Sequence, residues 1–410
     1  MKALLFSFGI PQFLLLQALR PLSSRFCYQG WLSTVKLVEL PEPTLPSAQW
    51  IKIKTKYCGF CGSDLSLVTL DLSPASSPFC SSPSVLGHEF CGEVTEIGSE
   101  VKNCRVGDLV TIAPLLNCSV REITPACRTC QQGNPSCENF AEGRLAPGML
   151  QGVCREIPGG FAEYTVAHYS QVFRVPEGVS AESAALVEPL AVALQAVLDN
   201  QPKERDQVLV IGAGVIGSLV IKAIRALRIN CPITVAAHSR YQADFASKCG
   251  ANQVVLNELI DESARITGSR AYQPVMGRKI LSSGFDRIFD TVGHNETMEI
   301  ALRIAAPGST ISLIGIGKEL KIDPTPLWLK MLMVKGSLCY GYHTFQNRRQ
   351  HVFEIALGWL SRKEIVVEDL LSHKFRLEDY PKMIEANLHK SQKQTMKTMV
   401  AFGQGGQTQT

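Results

Sequence analysis

The chain has 410 residues, too many for one hydrophobic core, so two domains are expected. Its 45% hydrophobic and 19% charged residues describe a globular protein. A formal charge of +4 with no basic block among aromatics speaks against a nucleic-acid partner, and the lack of a fixed-period repeat speaks against a solenoid.

Residues 2–7 read as a first strand leading into a short helix. The apolar runs at 3–6 and 13–16 have the look of a secretory leader. However, Gly9, Pro11, Gln12 and Gln17 interrupt them and no small-x-small cleavage site follows, so the expectation is a strand and a cytoplasmic protein. No stretch reaches the ~18 uninterrupted apolar residues of a membrane span. Residues 50–56 alternate apolar and polar as a strand does. Ser and Pro dominate 73–83, which predicts a loop. Short strands with glycine turns follow at 85–87, 91–94 and 107–110, the texture of a partly closed β-barrel. Residues 180–198 are Ala-rich and read as one helix. From 207 onward, apolar strands alternate with helices to about residue 340, as in a doubly wound parallel sheet. The expected fold class is therefore α/β, with residues 1–192 forming a barrel domain and 193–340 a nucleotide-binding domain. Residues 341–403 return to the first domain, and a polar Gly/Gln tail at 404–410 is expected to be disordered.

The apolar run at 207–211 ends in Gly212-Ala213-Gly214-Val215-Ile216-Gly217, which opens a helix over 215–227. Strand, glycines and helix in this order predict a dinucleotide site. Gly212 allows the tight turn, Gly214 lets a pyrophosphate approach, Gly217 packs helix on strand, and Val215 and Ile216 offer helix N-terminal N–H groups. After the next strand, at 233–237, an NAD site usually places an acid against the ribose hydroxyls. Here His238, Ser239 and Arg240 follow instead. Ser239 can donate a hydrogen bond and Arg240 can pair with a 2′-phosphate, so NADP(H) is expected over NAD(H).

Six of the fourteen cysteines fall into two tight groups, which suits metal binding in a reducing compartment better than disulfides. Cys61, His88 and Glu188 are widely separated in sequence, but thiolate, imidazole and carboxylate are the ligand types of a catalytic zinc with an open position. Asp64 is expected either to orient a ligand or to cap a turn. Cys118, Cys127, Cys130 and Cys137 form C-x8-C-x2-C-x6-C, able to close a tetrahedral structural zinc site within the lobe at 117–139, with a disulfide or redox role as the alternative.

Cys61-Gly-Ser-Asp, Gly87-His-Glu, Gly107-Asp108, Gly159-Gly-Phe-Ala-Glu-Tyr164, Glu188-Pro-Leu-Ala-Val and the glycine loop at 212–217 run in one order over residues 34–340. In these motifs the chain resembles the zinc-dependent medium-chain alcohol dehydrogenases, and within them the polyol, sorbitol and threonine dehydrogenase-like branch. The resemblance implies a GroES-like β-barrel catalytic domain, a Rossmann domain and two zinc ions per subunit. It implies that Cys61 and His88 bind the catalytic zinc, with Glu89 or Glu188 supplying the carboxylate. In another branch of the family a cysteine sits where Glu188 falls. The resemblance further implies hydride transfer between an alcohol, or the matching aldehyde or ketone, and NADP or NAD, with Ser63 starting the proton relay. Ser66 stands where many relatives carry the next relay group, a histidine. Cys58 mimics a redox or zinc-knuckle pair with Cys61, but the family uses only the second cysteine. The four-cysteine lobe departs from the family pattern, since Thr124 occupies the usual first position and Cys118 must reach in from upstream. Phe90, the Ser/Pro loop and the N-terminal extension to about residue 33 are places where the substrate pocket is expected to differ from compact relatives. A homodimer or homotetramer with a small-molecule substrate is implied. The alternative is a zinc- and nucleotide-binding sensor or structural protein of the same fold without turnover.

Overall fold

The computed structural model describes residues 1–317 and 319–403. The expected tail at 404–410 lies outside the described residues. The chain forms two units, Met1–Glu188 together with the chain from Tyr340 onward, and Pro189–Cys339.

The first unit opens with β1 (Lys2–Phe6) and α1 (Ile10–Leu19), then β2 (Val35–Glu39), β3 (Trp50–Phe60) and α2 (Gly62–Val68). Where Ser and Pro predict a loop at 73–83, Pro74–Phe79 forms a 3-10 helix instead. Ser73 accepts from the Ala75 N–H at 3.3 Å and Pro74 starts the turn, so the residues that mark a loop here also cap a helical turn. Then follow β4 (Ser84–Val85), β5 (Glu89–Ile97), β6 (Leu109–Ile112), α3 (Arg128–Gln132), β7 (Tyr164–His168) and β8 (Val172–Arg174). The Ala-rich stretch at 180–198 is two helices rather than one, α4 (Ala181–Ala185) and α5 (Val187–Asp199), with Leu186 outside helical geometry at φ −89°, ψ 0°. The reason is Pro189, whose ring clashes with the carbonyl four residues back in a continuous helix but fits the first turn of a new one.

The second unit alternates strand and helix. It comprises β9 (Val208–Ile211), α6 (Val215–Ala226), β10 (Ile233–Ala236), α7 (Arg240–Lys248), β11 (Gln253–Val255), α8 (Leu259–Thr267) and a small hairpin of β12 (Ala271–Tyr272) and β13 (Ile280–Leu281). It continues with β14 (Phe285–Asp290), α9 (Asn295–Ile304), β15 (Ala305–Leu313), α10 (Thr325–Leu329) and β16 (Met333–Gly336). Six strands form a parallel sheet in the order β11-β10-β9-β14-β15-β16. Chain order reverses between β9 and β14, the switch point where doubly wound sheets bind ligands.

The chain then returns to the first unit through β17 (Tyr342–Phe345), β18 (Arg348–His351), α11 (Val352–Ser361), β19 (Leu371–Phe375), α12 (Tyr380–Leu388), α13 (Lys390–Lys393) and β20 (Lys397–Ala401). Here β3 is the central strand: it pairs antiparallel with β5, β7 and β20. Its alternating residues put Ile51 and Ile53 into a core shared with Leu4, Val94, Phe161 and Val400. Phe90 belongs to that core and is fully buried, so it packs the barrel and is not a pocket residue, contrary to the expectation from sequence. The N-terminal extension packs on the residues that end α2. Arg20 donates to the Thr69 carbonyl at 3.0 Å and pairs with Asp71 at 2.9 Å, and Gln17 donates to the Leu70 carbonyl at 3.2 Å.

Candidate active site and four-cysteine centre

Strand β3 delivers Cys61 to the N-terminus of α2, where it is the capping residue. The Asp64 carboxylate accepts from the Cys61 backbone N–H at 2.9 Å and lies 3.5 Å from His88 Nδ1. One buried side chain thus fixes both the cysteine and the imidazole, and the orienting role expected of Asp64 and its turn-capping role are the same geometry. The other ring nitrogen, Nε2, lies 3.4 Å from the Ser63 hydroxyl. Burial disfavours the imidazolium of His88, but the Asp64 charge and hydrogen bond, together with Cys61, outweigh it and raise the pKa well above the ordinary value. A more basic imidazole is a better metal donor. His88 ends the turn that Gly87 makes at φ +93°, where a Cβ would lie 2.7 Å from Cys58 Sγ. Cys58 itself is fully buried, its thiol pointing to the Gly59 carbonyl at 3.6 Å, as befits a core residue.

Cys61, His88 and Glu89 bring their ligand atoms within 4.8 Å of one another. Thiol, imidazole and carboxylate at this spread suit a single zinc ion. Glu188 stands outside that triplet but faces it. Burial, and after it the Glu89 charge, push its carboxyl up to about 7, while His88, Lys397 and a hydrogen bond from Tyr340 pull the other way. All four belong to the first unit. Tyr340 is buried against Phe353, with ring centroids 4.6 Å apart.

Lys397, at the start of β20, was not singled out by sequence. Its buried ammonium forms an ion pair with the Glu89 carboxylate and donates to the Phe60 carbonyl at 3.1 Å. Burial opposes its charge, but Glu89 and Cys61 hold its pKa above the ordinary lysine value. The available signal was a lysine opening a short, mostly apolar strand, Lys397–Ala401. Gly59 was missed too: a Cβ there would collide with the Glu89 carboxylate and come within 3.0 Å of Lys397 Cε.

The four cysteines converge as well. Cys118, Cys127, Cys130 and Cys137 hold their sulfurs within 4.8 Å of one another, and Thr124 is not among them. Cys118 and Cys137 sulfurs are 3.6 Å apart, too far for a disulfide and suited to two ligands of one ion. Cys127 caps α3, which Gly133 ends in the left-handed region at φ +76°. N–H groups point at the sulfurs: Cys127 N to Cys118 at 3.4 Å, Asn139 N to Cys137 at 3.3 Å and Asn139 Nδ2 to Cys118 at 3.3 Å.

In the second unit, Gly212 at φ +95° turns the chain from β9 toward α6, and Gly214 caps that helix. A Cβ on Gly217 would strike the Gly212 carbonyl, which accounts for the third glycine. Val215 and Ile216 begin α6, so their N–H groups lie in its first turn. The turns after β14 and β15 pack on each other, since a Cβ on Gly293, at φ +74°, would meet Gly315, and one on Gly317 would meet Gly293. Ser239 caps α7 by accepting from the Gln242 N–H at 3.3 Å, leaving its own proton free to donate. The Arg240 side chain is 83% exposed and pairs with Asp244 at 3.5 Å, so it is available to a ligand.

Residues 47–177 match the family described as alcohol dehydrogenase GroES-like domain, and residues 215–354 match the one described as zinc-binding dehydrogenase. The chain is 28% identical over 349 residues to sorbitol dehydrogenase of Arabidopsis thaliana, covering 84% of this chain and 87% of that protein. The crystal structure of 2R,3R-butanediol dehydrogenase from Bacillus subtilis is 26% identical and superposes with a TM-score of 0.69, covering 90% of this chain and 96% of that one. The fold is shared with an alcohol dehydrogenase of E. coli CFT073 complexed with NADH, at 24% identity, a TM-score of 0.72 and coverage of 98% and 99%. With both domain families matched in order over a barrel and a doubly wound sheet, the chain belongs to the zinc-dependent medium-chain alcohol dehydrogenases, NAD(P)-dependent oxidoreductases that act on alcohols.

Proposed function

We propose that this enzyme interconverts a polyol-type secondary alcohol and its ketone, with NADP(H) preferred over NAD(H). In this reading Cys61, His88 and one carboxylate, Glu89 or Glu188, hold a catalytic zinc, and Cys118, Cys127, Cys130 and Cys137 a structural one. The single observation that carries it is the convergence of Cys61, His88 and Glu89 within 4.8 Å, with the Ser63 hydroxyl against the imidazole. The sorbitol and butanediol dehydrogenases among the relatives support the polyol class. Zinc bound at this site supplies Lewis acidity that makes a substrate hydroxyl acidic near neutral pH.

The chain's own residues do the remainder. Asp64 holds His88 and the Cys61 backbone in place. Ser63 accepts the substrate hydroxyl proton while releasing its own toward solvent. The 212–217 loop would hold the coenzyme pyrophosphate through its N–H groups, and the nicotinamide, when bound, would supply the hydride acceptor or donor. Ser239 and Arg240 recognise a 2′-phosphate by hydrogen bond and charge. The protein works as a homodimer or homotetramer in the cytoplasm. Its fourteen free thiols support a reducing compartment, and among the described residues no helix is long and apolar enough to cross a membrane.

Elemental analysis with an alcohol and polyol panel, run with both coenzymes, tests the assignment. Near two zinc ions per subunit, falling to near one with loss of turnover in Cys61→Ser, is the expected result. One zinc and no turnover on any alcohol would instead favour a non-catalytic binding protein. Arg240→Ala is expected to raise KM for NADP about tenfold and leave that for NAD unchanged, since one charge-assisted contact is lost.

A further inference from the structure

Arg121 lies inside the four-cysteine lobe, three residues after Cys118, and is completely buried. All five of its N–H bonds go to backbone carbonyls. Nε donates to Leu116 at 3.0 Å. Nη1 donates to Glu142 at 2.8 Å and Leu145 at 2.9 Å, and Nη2 to Ala146 at 3.1 Å and Gly148 at 2.6 Å. These acceptors lie just before the first cysteine of the lobe and just after the last, so a single side chain ties both ends of the lobe together.

A buried guanidinium needs a negative partner as well as hydrogen bonds, because carbonyl dipoles replace only part of its hydration. Among the described residues no carboxylate forms an ion pair with it. Burial lowers the pKa of the guanidinium, and the groups that oppose this are Cys154, Cys137, Glu156 and Cys118, two of them members of the four-cysteine set. The Glu156 carboxylate is engaged by the Ala146 N–H at 2.7 Å. Four thiolates around one divalent ion leave two negative charges uncompensated.

We propose that Arg121 is a positioning residue whose charge balances the four-thiolate zinc centre, so that guanidinium and metal stabilise the lobe jointly. The proposal rests on the reading of Cys118, Cys127, Cys130 and Cys137 as a zinc site. Arg121 acts through the ligands, by clamping the 142–148 segment and Leu116 and by offsetting the charge of the filled site. Without zinc, the same cation is left buried with hydrogen bonds but no adequate counter-charge.

The experiment is zinc release from the full-length enzyme to a chromogenic chelator at fixed pH. The lobe phase is identified as the one that persists in Cys61→Ser. Arg121→Met is expected to release lobe zinc at least about tenfold faster, the scale seen when groups supporting metal ligands are removed. Arg121→Lys, which keeps the charge but not the planar fork, is expected to stay within about threefold of the native rate. An unchanged rate in Arg121→Met overturns the proposal. Equal acceleration in both variants overturns it in favour of a clamp that works by shape alone. Zinc counts separate these failures from failure of the underlying reading: a native enzyme with one zinc, and none in Cys61→Ser, has no metal in the lobe. Should Arg121→Met not fold, hydrogen exchange on the native protein decides. Chelation of the lobe zinc is expected to deprotect the 116–148 amides together, and retained protection overturns the coupling.

Discussion

At the scale of single residues, the absence of a side chain at 59 lets Glu89 and Lys397 meet beside Cys61 and His88. Both charges are buried, and a buried pair is tolerable only with close contact and further hydrogen bonds. Lys397 has the Phe60 carbonyl for this purpose. Gly59 lies within β3, so its role is room and not backbone freedom. Gly59→Ala puts a methyl group into the Glu89 carboxylate and is expected to cost about 1–3 kcal/mol through overpacking. Chemical denaturation of native and variant enzyme measures this, and an unchanged midpoint would show that the pair is looser than its geometry. Zinc content of the same variant reports whether Glu89 is displaced from Cys61 and His88 as well.

At the scale of elements, β16 is the last strand of the six-stranded sheet and pairs only with β15 among the described residues. Its backbone edge is open, and Met333 is 59% and Val334 42% exposed. Trp328 and Leu329 of α10 are exposed too. An open edge with apolar side chains is a template for pairing, and a second copy pairing edge to edge would continue the sheet. Val334→Lys places a charge on that edge and is expected to shift the assembly toward smaller species in sedimentation at micromolar concentration. A native protein that is monomeric under those conditions removes the premise. The division between α4 and α5 comes from one proline and puts Glu188 in the first turn of α5, near His88 and Glu89.

At the scale of the whole molecule, the first unit contains two histidines folded away in neutral form. His168 bonds Ser170 through Nδ1 at 2.7 Å and Gln49 through Nε2 at 3.1 Å. His351 stacks on Phe173 with ring centroids 4.8 Å apart. Burial lowers each pKa to about 4. The unfolded chain keeps a histidine pKa of about 6.5, so between these values it binds more protons than the folded protein. Stability is therefore full above about 6.5 and is lost as pH falls toward 4. Urea unfolding of the native enzyme at pH 7 and pH 4.5 is expected to show this loss, with a shallower dependence in His168→Gln. An equal slope in the variant would exclude His168 as a source.

The sequence by itself determined the parts whose chemistry is local. The glycine loop at 212–217 is a strand, a turn and a helix in succession, and Gly217 is required by a contact within that same segment, with the Gly212 carbonyl. Cys127 caps α3 and Cys130 lies in it, so their spacing alone brings these two near one another. The order of short strands and of strand–helix alternation likewise follows from hydrophobic period, and with it the two-part fold. Only the tertiary structure decided the rest, because those contacts join residues far apart in sequence and depend on register across the sheet. Lys397 reaches Glu89 because β20 and β5 flank β3 on its two sides. Cys118, not Thr124, completes the four-cysteine group because the chain folds back between them, and Arg121 holds that fold by carbonyls on both sides of the lobe. Phe90 turned inward and the Ser/Pro segment wound into a helical turn for the same reason: composition states what a residue tolerates, and packing chooses among the tolerated states.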